Sequence, residues 1–199
     1  MGSETKHQTG TESALIERSR QGDLEAFDSL VQIHQDRIYN LSLRLLGNEE
    51  DALDLAQEAF CAAFRKMGSF RGEAAFFSWL YRITVNLAKN FWRKSAQRVS
   101  DRSVPLEPAN SENEREYAPP IPNGAPNPRQ QAAGHELRAI LDEKMNELSF
   151  DFRTILTLRF MEGLSYEEIA ETLGCNTGTV KSRLNRARNE LRDLMEPYL

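Results

Sequence analysis

Seven of the eight prolines in this 199-residue chain lie between Pro105 and Pro128. The residues around them are mostly small, polar or charged, and few are large and apolar. Such a segment buries too little apolar surface to offset the entropy lost on ordering, so it is typical of an extended linker. The sequence therefore predicts two folded lobes at residues 12–98 and 134–199, joined by an acidic, proline-rich, flexible linker at 99–133.

Both lobes carry the apolar spacing of helices, and no six-residue window alternates as a strand would. In the first lobe we expect four helices: residues 11–35, residues 36–46 closed by Gly47, Asn48 to Met67, and a fourth from about residue 72 to Lys94, with or without an interruption. The predicted fold class is all-α, with two small helical domains.

The third predicted helix has two contrasting faces. Apolar residues recur on it at spacings of three and four, which places them on one stripe: Leu53, Ala56, Phe60, Ala63, Phe64 and Met67. Four charged residues project from the other side, with an apolar leucine beside them: Asp51, Asp54, Glu58 and Arg65, with Leu55. This face fits either a solvated surface or a docking surface for a basic partner. Composition leaves both readings open.

The net charge of −5 at first argues against a nucleic-acid partner, but the charge is unevenly distributed. Residues 71–100 contain six Lys and Arg against one acidic residue, whereas the remaining parts of the chain are acidic. Phosphates respond to charge within about 10 Å in salt, so this basic segment matters more than the total.

The basic segment is also rich in aromatic residues. One helical face of it can supply a core: Phe76, Trp79, Leu80, Ile83, Leu87 and Phe91. In a continuous helix, Tyr81 and Trp92 would face the other way, beside Arg82 and Lys89. Exposed rings among cations suit single-stranded DNA, because bases stack on the rings and the backbone follows the charge. The alternative is a large aromatic core with basic flanks.

The second lobe contains the pattern of a helix-turn-helix. Ser165 and Glu168 form a capping box, and Leu164 and Ile169 are placed for a hydrophobic staple. The helix that they start ends at Gly174, and a second helix begins after a three-residue turn, near Thr177.

The second helix of this motif has an apolar stripe and a polar face. The stripe is formed by Val180, Leu184, Ala187, Leu191 and Leu194. The polar face, typical of a recognition helix in the major groove, is formed by Lys181, Ser182, Asn185, Arg186 and Asn189. Arg183 and Arg188 flank the stripe and are better placed for phosphates. A solvated basic surface is the alternative.

Three segments, in one order, resemble the extracytoplasmic-function (group 4) class of bacterial RNA polymerase sigma factors. Residues 54–60 read DLAQEAF and are similar to the helix that docks on the polymerase clamp helices. Residues 70–94 resemble the segment that recognises and melts the −10 element. Residues 158–191 resemble the helix-turn-helix that reads the −35 element. The resemblance covers both lobes, and it implies a four-helix sigma domain two and a helix-turn-helix sigma domain four.

The resemblance implies a role for each of three groups of residues. The polymerase-binding group is Asp51, Asp54, Leu55, Gln57 and Glu58. The group for −10 binding and melting is Tyr81, Arg82, Asn86, Lys89, Asn90, Trp92 and Arg93. Within it, residues 84–90 would form the loop that captures a flipped base, read by Asn86. The −35 group is Thr177, Thr179, Lys181, Ser182, Arg183, Asn185, Arg186 and Arg188.

The resemblance also implies the partners: core RNA polymerase, through the clamp helices and flap of its large subunits; promoter DNA; and a membrane-bound anti-sigma factor that occludes the polymerase-binding faces in a stress response. The free protein would be a monomer, and the linker would thread through the RNA-exit path.

No catalytic residues, cofactor or metal site are expected. Cys61 and Cys175 are far apart and read as reduced cytosolic thiols, and the histidines are scattered. No apolar run reaches the roughly 18–20 residues of a membrane span, and the N-terminus lacks an apolar signal core, so we expect a cytoplasmic protein. Three rival interpretations are a helix-turn-helix regulator that acts without polymerase, an enzyme, and a pure interaction module.

Overall fold

The computed structural model describes residues 4–72, 75–101 and 128–198, and the elements in these ranges are all helical. The first lobe consists of α1 (Glu4–Arg20), α2 (Leu24–Leu46), α3 (Glu49–Lys66), a short 3-10 turn (Met67–Ser69) and α4 (Phe76–Asp101). The second consists of α5 (Pro128–Glu147), α6 (Phe150–Leu156), a π-helical turn (Thr157–Met161), α7 (Tyr166–Leu173), α8 (Thr177–Met195) and a last 3-10 turn (Glu196–Tyr198). The predicted all-α, two-domain fold is confirmed.

The first two helices divide at a different place from the predicted one. The break follows Arg20, where Gly22 adopts a φ of 91° that favours glycine. The Asp23 carboxylate then accepts a hydrogen bond from the Ala26 backbone N–H at 3.1 Å and caps α2. Asp36 lies inside α2, so the predicted boundary there was wrong. Gly22 and Asp23 mark this boundary in the sequence, but the prediction relied on apolar periodicity and did not use them.

The start of α3 agrees with the sequence. Gly47 ends α2 with a φ of 80°, and its N–H donates to the Leu43 carbonyl at 2.8 Å. The Asn48 side chain accepts a hydrogen bond from the Asp51 N–H at 2.9 Å and starts α3. These are local interactions, which explains why a short stretch of sequence predicts them.

The core of the first lobe lies between α2, α3 and α4. Its larger members are fully buried: Leu30, Ile38, Leu41, Leu45, Met67 and Leu80. Small residues of α3, among them Ala52, Ala59 and Ala63, are also buried and allow the helices to approach closely. At one end of this core Phe70 packs against Phe76 and Trp79, with ring centroids 5.7 and 5.1 Å away. Full burial of each large apolar side chain contributes about 1.5–3 kcal/mol.

Helix α4 is continuous across the segment that was expected to form a base-capturing loop. Residues 84–90 are helical, and the Thr84 hydroxyl donates to the Leu80 carbonyl one turn earlier, at 3.0 Å. The prediction of a loop there was wrong, because the segment contains no proline or glycine that would end a helix. Irregular backbone is found instead before α4, at residues 70–72, where Gly72 has a φ of 72°.

Helices occupy both ends of the segment predicted as the linker, residues 99–133. Helix α4 extends to Asp101 and α5 already begins at Pro128. Proline fits the first turn of a helix, where its missing N–H has no acceptor within the helix. The rest of the predicted linker lies outside the described residues.

The helix-turn-helix forms as predicted. The Ser165 hydroxyl accepts from the Glu168 N–H at 3.1 Å, and the Glu168 carboxylate accepts from the Ser165 N–H at 2.7 Å. Gly174 ends α7 with a φ of 64°, and Asn176 caps α8 by accepting from the Thr179 N–H at 2.7 Å. Leu158, Leu164, Ile169, Val180, Leu184 and Ala187 are buried between these helices.

The two lobes are packed against each other. Helix α4 contacts α6 and α7, and α2 contacts α6 and the π-helical turn. Trp92 and Phe150 bring their ring centroids to 6.0 Å, and the Lys89 ammonium lies 3.1 Å from the Asp151 carboxylate. None of the helices in the described ranges has the length and apolar content required to cross a membrane.

Candidate nucleic-acid interface

The outer side of α8 carries polar and basic groups. Of the residues predicted for −35 DNA, five are exposed: Lys181, Ser182, Asn185, Arg186 and Arg188. Thr177, Thr179 and Arg183 are half-buried. From Thr177 to Asn189 the helix contains four cations and no acidic residue, and its N-terminus adds the positive end of the helix dipole. This arrangement can place donors at base edges and cations at phosphates.

A cationic cluster at Tyr166 extends this surface toward the start of α7. The Arg159 guanidinium lies 4.8 Å from the centre of the Tyr166 ring, and the Lys181 ammonium lies 5.9 Å from it. Arg159 also donates a hydrogen bond to the Leu164 carbonyl at 2.7 Å. Sequence analysis did not select Arg159, since the π-helical turn that orients it is not visible as a sequence pattern.

Most residues predicted for −10 DNA lie on the exposed side of α4. Arg82, Asn86, Asn90, Trp92 and Arg93 are exposed, and Lys89 is half-buried. Trp92 keeps 41% of its surface accessible although it touches Phe150. The combination of an accessible indole with neighbouring guanidinium groups can stack a base and hold a phosphate.

Tyr81 is an exception, because it is buried to 1% exposure. Its hydroxyl donates to the Glu162 carboxylate of the second lobe at 2.6 Å. Burial, together with this carboxylate, raises the pKa of Tyr81, so the phenol remains a protonated donor. The prediction that Tyr81 faces solvent was wrong, since helical periodicity does not include the second lobe that covers it.

One edge of each predicted DNA-binding surface lies at the contact between the lobes. Asn86 and Lys89 of α4 line a small crevice together with Arg183 of α8 and Asp151 of α6. The second lobe restricts access to the part of α4 that lines this crevice, whereas most of the other predicted DNA-binding groups of both helices stay exposed. The structure is therefore a closed arrangement of the two lobes.

The charged face of α3 is exposed, but the exposed leucine on this helix is Leu53 and not the predicted Leu55. Asp54, Gln57 and Glu58 are exposed and Asp51 is half-buried. Leu55 is buried to 2% exposure, whereas Leu53 is 63% exposed. The predicted exposure of Leu55 was wrong because the stripe that packs on the core is built largely of alanines. The sequence pattern instead assigned the larger side chains, such as Leu53 and Phe64, to the buried stripe.

Cys61 is exposed and Cys175 half-buried, and both are free thiols. Within the described ranges, no three His, Cys, Asp or Glu side chains come together as a metal site would require.

Two family descriptions match the chain, one in each lobe. "Sigma-70 region 2" matches residues 30–98, and "Sigma-70, region 4" matches residues 138–191. The chain is 40% identical over 185 residues to the RNA polymerase sigma-H factor of Pseudomonas aeruginosa, covering 93% of this chain and 94% of that one. It is 38% identical over 189 residues to the ECF RNA polymerase sigma-E factor of Haemophilus influenzae, covering 95% and 97%.

Two solved structures have a similar fold. The sigma factor RpoE of Bartonella quintana, in complex with the anti-sigma factor NepR, matches with a TM-score of 0.64 and 26% identity, covering 87% of this chain and 98% of that one. CnrH, in complex with the cytosolic domain of CnrY, matches in fold with a TM-score of 0.66 and 23% identity, covering 94% and 98%. By its relatives and by both family matches, this chain belongs to the ECF RNA polymerase sigma factors.

Proposed function

We propose that this sigma factor binds core RNA polymerase, reads the −35 element with α8 and the −10 element with α4, and helps to melt the DNA. The observation that carries the proposal is the pair of outward faces on α4 and α8. Both are basic and polar, and they lie on separate lobes whose connection spans many residues. Two elements of a promoter can then be read by one chain.

In this proposal the exposed polar groups of α8 have two tasks. Lys181, Ser182, Asn185 and Arg186 contact base edges in the major groove, because they project from the first half of a recognition helix. Arg183 and Arg188, with Thr177 and Thr179 at the helix start, hold phosphates.

On α4, Asn86 reads an unstacked base of the −10 element, and Trp92 provides a ring on which a neighbouring base stacks. Arg82, Lys89, Asn90 and Arg93 hold the strand. Stacking is worth roughly 1–3 kcal/mol per base, comparable with the few kcal/mol that extruding a base costs, so the segment can contribute to melting.

Core polymerase docks on α3 through Asp51, Asp54, Gln57 and Glu58, with Leu53 in the apolar role that was predicted for Leu55. An exposed leucine among carboxylates suits a partner helix with basic and apolar residues. The clamp helices of the polymerase are the proposed partner of this surface, and the flap is the proposed partner of the second lobe.

Control by an anti-sigma factor is supported by the similar sigma factor of Bartonella quintana, which was solved in complex with the anti-sigma factor NepR. We propose a membrane-bound anti-sigma factor that keeps this protein from polymerase until a stress releases it. The free protein acts as a cytoplasmic monomer. Sigma factors are initiation factors, and we propose that this one has no catalytic activity, the chemistry being that of the polymerase.

The test is reconstitution with purified core polymerase, followed by run-off transcription on a genomic library. The holoenzyme should start transcripts at promoters that core alone ignores. Asp54→Ala with Glu58→Ala should weaken core binding, whereas Glu25→Ala, an exposed acidic residue of α2, should not. Specific operator binding by the free protein, without core binding, would instead favour a regulator that acts without polymerase.

A further inference from the structure

A carboxylate of the second lobe is held almost entirely by groups of the first lobe. Glu162 follows the π-helical turn, and its side chain is 6% exposed. One carboxylate oxygen accepts from the Arg44 guanidinium at 2.8 Å, and the other accepts from the Tyr81 hydroxyl at 2.6 Å. A buried carboxylate requires such partners, and here both come from the other lobe.

The first lobe therefore carries a built anion site of its own. Arg44 lies in the last turn of α2, and its side chain is still 39% exposed when paired, so solvent reaches it. A second guanidinium, that of Arg37, lies 5.6 Å from the Tyr81 ring and 5.4 Å from the Phe77 ring. Guanidinium forks and hydroxyl donors bind carboxylates and phosphates by the same geometry.

The site lies beside the surface of α4 that is proposed to read the −10 element. Tyr81 precedes Asn86 by five residues, about 7.5 Å along the helix axis. Asn86 lines the crevice that the second lobe covers, and Tyr81 is buried by that same lobe. When the lobes separate, Tyr81 and the crevice side of Asn86, whose other side is already exposed, become accessible together.

We infer that Arg44 and Tyr81, supported by Arg37, bind a backbone phosphate of the promoter strand next to the −10 element, and that Glu162 occupies this position when the lobes are closed. The inference rests on the proposed function of α4. A phosphate is favoured over another protein carboxylate because the Tyr81 donor lies on α4, the helix of the basic segment 71–100 that is proposed to bind the promoter strand. Glu162 is then a competitor of the DNA within the same molecule.

The experiment measures binding of the reconstituted holoenzyme to a fluorescent single strand that carries a −10 element from a promoter it transcribes. Arg44→Ala should weaken binding roughly tenfold and lower the slope of log affinity against log salt by about 0.7, the value for one phosphate on a single strand. Tyr81→Phe should weaken binding less and leave the slope unchanged. Arg20→Ala, which removes the same charge just before the opposite end of α2, is the matched control and should change neither.

Replacing the phosphates of the strand one at a time by uncharged methylphosphonates locates the contact. For wild type, one position near the −10 element should lose affinity, and at that position Arg44→Ala should show no further loss. Two results would contradict the phosphate site. In the first, Arg44→Ala binds the strand as tightly as Arg20→Ala. In the second, Arg44→Ala still loses affinity at every methylphosphonate position. A holoenzyme that does not form, or does not prefer the −10 strand, contradicts the proposed function instead.

The competition is tested in the free full-length protein. Glu162→Ala should raise its affinity for the same strand several-fold, since the anion site is then empty, and Glu167→Ala, an exposed acidic residue of the same lobe, should not. Equal affinities of wild type and Glu162→Ala would show that the carboxylate does not block the site.

Discussion

The Arg153 guanidinium of the second lobe donates a hydrogen bond to the Leu45 carbonyl of the first lobe at 3.0 Å. It also donates to the carbonyls of Asn146 at 2.6 Å and Leu148 at 3.5 Å, so it joins the C-terminal ends of α2 and α5. The residue is 4% exposed, and its acceptors are backbone oxygens with partial negative charge at helix ends. One side chain thus links the closing of the lobes to the folding of the second lobe.

Arg153→Met should lower the free energy of unfolding of the second lobe. Each buried carbonyl left without a donor costs about 1–3 kcal/mol, partly offset because the guanidinium is no longer desolvated. We expect a net loss of roughly 2 kcal/mol in urea unfolding followed by circular dichroism. Arg192→Met, on the exposed side of α8, is the control and should change stability by less than about 0.5 kcal/mol. Equal stabilities of the two variants would contradict the role of Arg153.

The histidine of the first-lobe core should make stability depend on pH. His34 is 5% exposed, and its Nε2 lies 3.1 Å from the Glu12 carboxylate, with Arg37 also nearby. Burial is the largest influence and lowers the pKa of His34 below 6.5, against the opposing effect of Glu12. The neutral ring is the form favoured by folding, so its contribution is complete above about pH 6.5 and decreases as the pH falls below that value.

The measurement is denaturant unfolding at a series of pH values between 5 and 8. Wild type should lose stability on acidification through this range, and His34→Gln should show a shallower dependence. A wild-type stability that rises as the pH falls would mean that the ion pair with Glu12 dominates over burial.

Two leucines of α3, two positions apart, should respond in opposite ways to truncation. Leu53→Ala should weaken binding to core polymerase about tenfold while leaving the unfolding free energy within about 0.5 kcal/mol of wild type, because the side chain is exposed. Leu55→Ala should instead cost about 2–5 kcal/mol of stability, because it leaves a cavity in the core. Binding titrations and thermal melts of both variants decide the assignment. A Leu53→Ala protein that binds like wild type would remove this residue from the docking surface.

The features that sequence predicted correctly are those decided within a few residues. Asn48, Ser165 and Gly174 cap or end helices through groups within one turn of each other, and each was found where its pattern placed it. Where such a signal was overlooked, at Gly22 and Asp23, the boundary was misplaced. The all-α fold could also be predicted, because the periodicity of a helix is a local property of the sequence.

The errors concern burial by distant parts of the chain. Tyr81 is covered by Glu162, which follows it by 81 positions, and no property of α4 alone reveals that contact. Leu55 is buried because α3 packs through alanines, and a stripe of small residues is a weaker sequence signal than Leu53 and Phe64. The exposure of these site residues therefore could not be predicted without knowing how the helices and the two lobes pack.

Two arginines of α8 should separate base reading from phosphate binding. Both are exposed, but Arg186 projects from the side opposite Val180, whereas Arg188 flanks the buried stripe. Arg186→Ala should weaken binding of the holoenzyme to a promoter carrying its −35 element by about 1–3 kcal/mol and reduce discrimination against a scrambled −35 sequence. Arg188→Ala should weaken both DNAs equally and lower the salt slope by about 0.9. Competition titrations at several salt concentrations measure both quantities. If Arg186→Ala lowers affinity for the two DNAs equally, this residue is a phosphate ligand, and base reading on α8 depends on Lys181, Ser182 and Asn185.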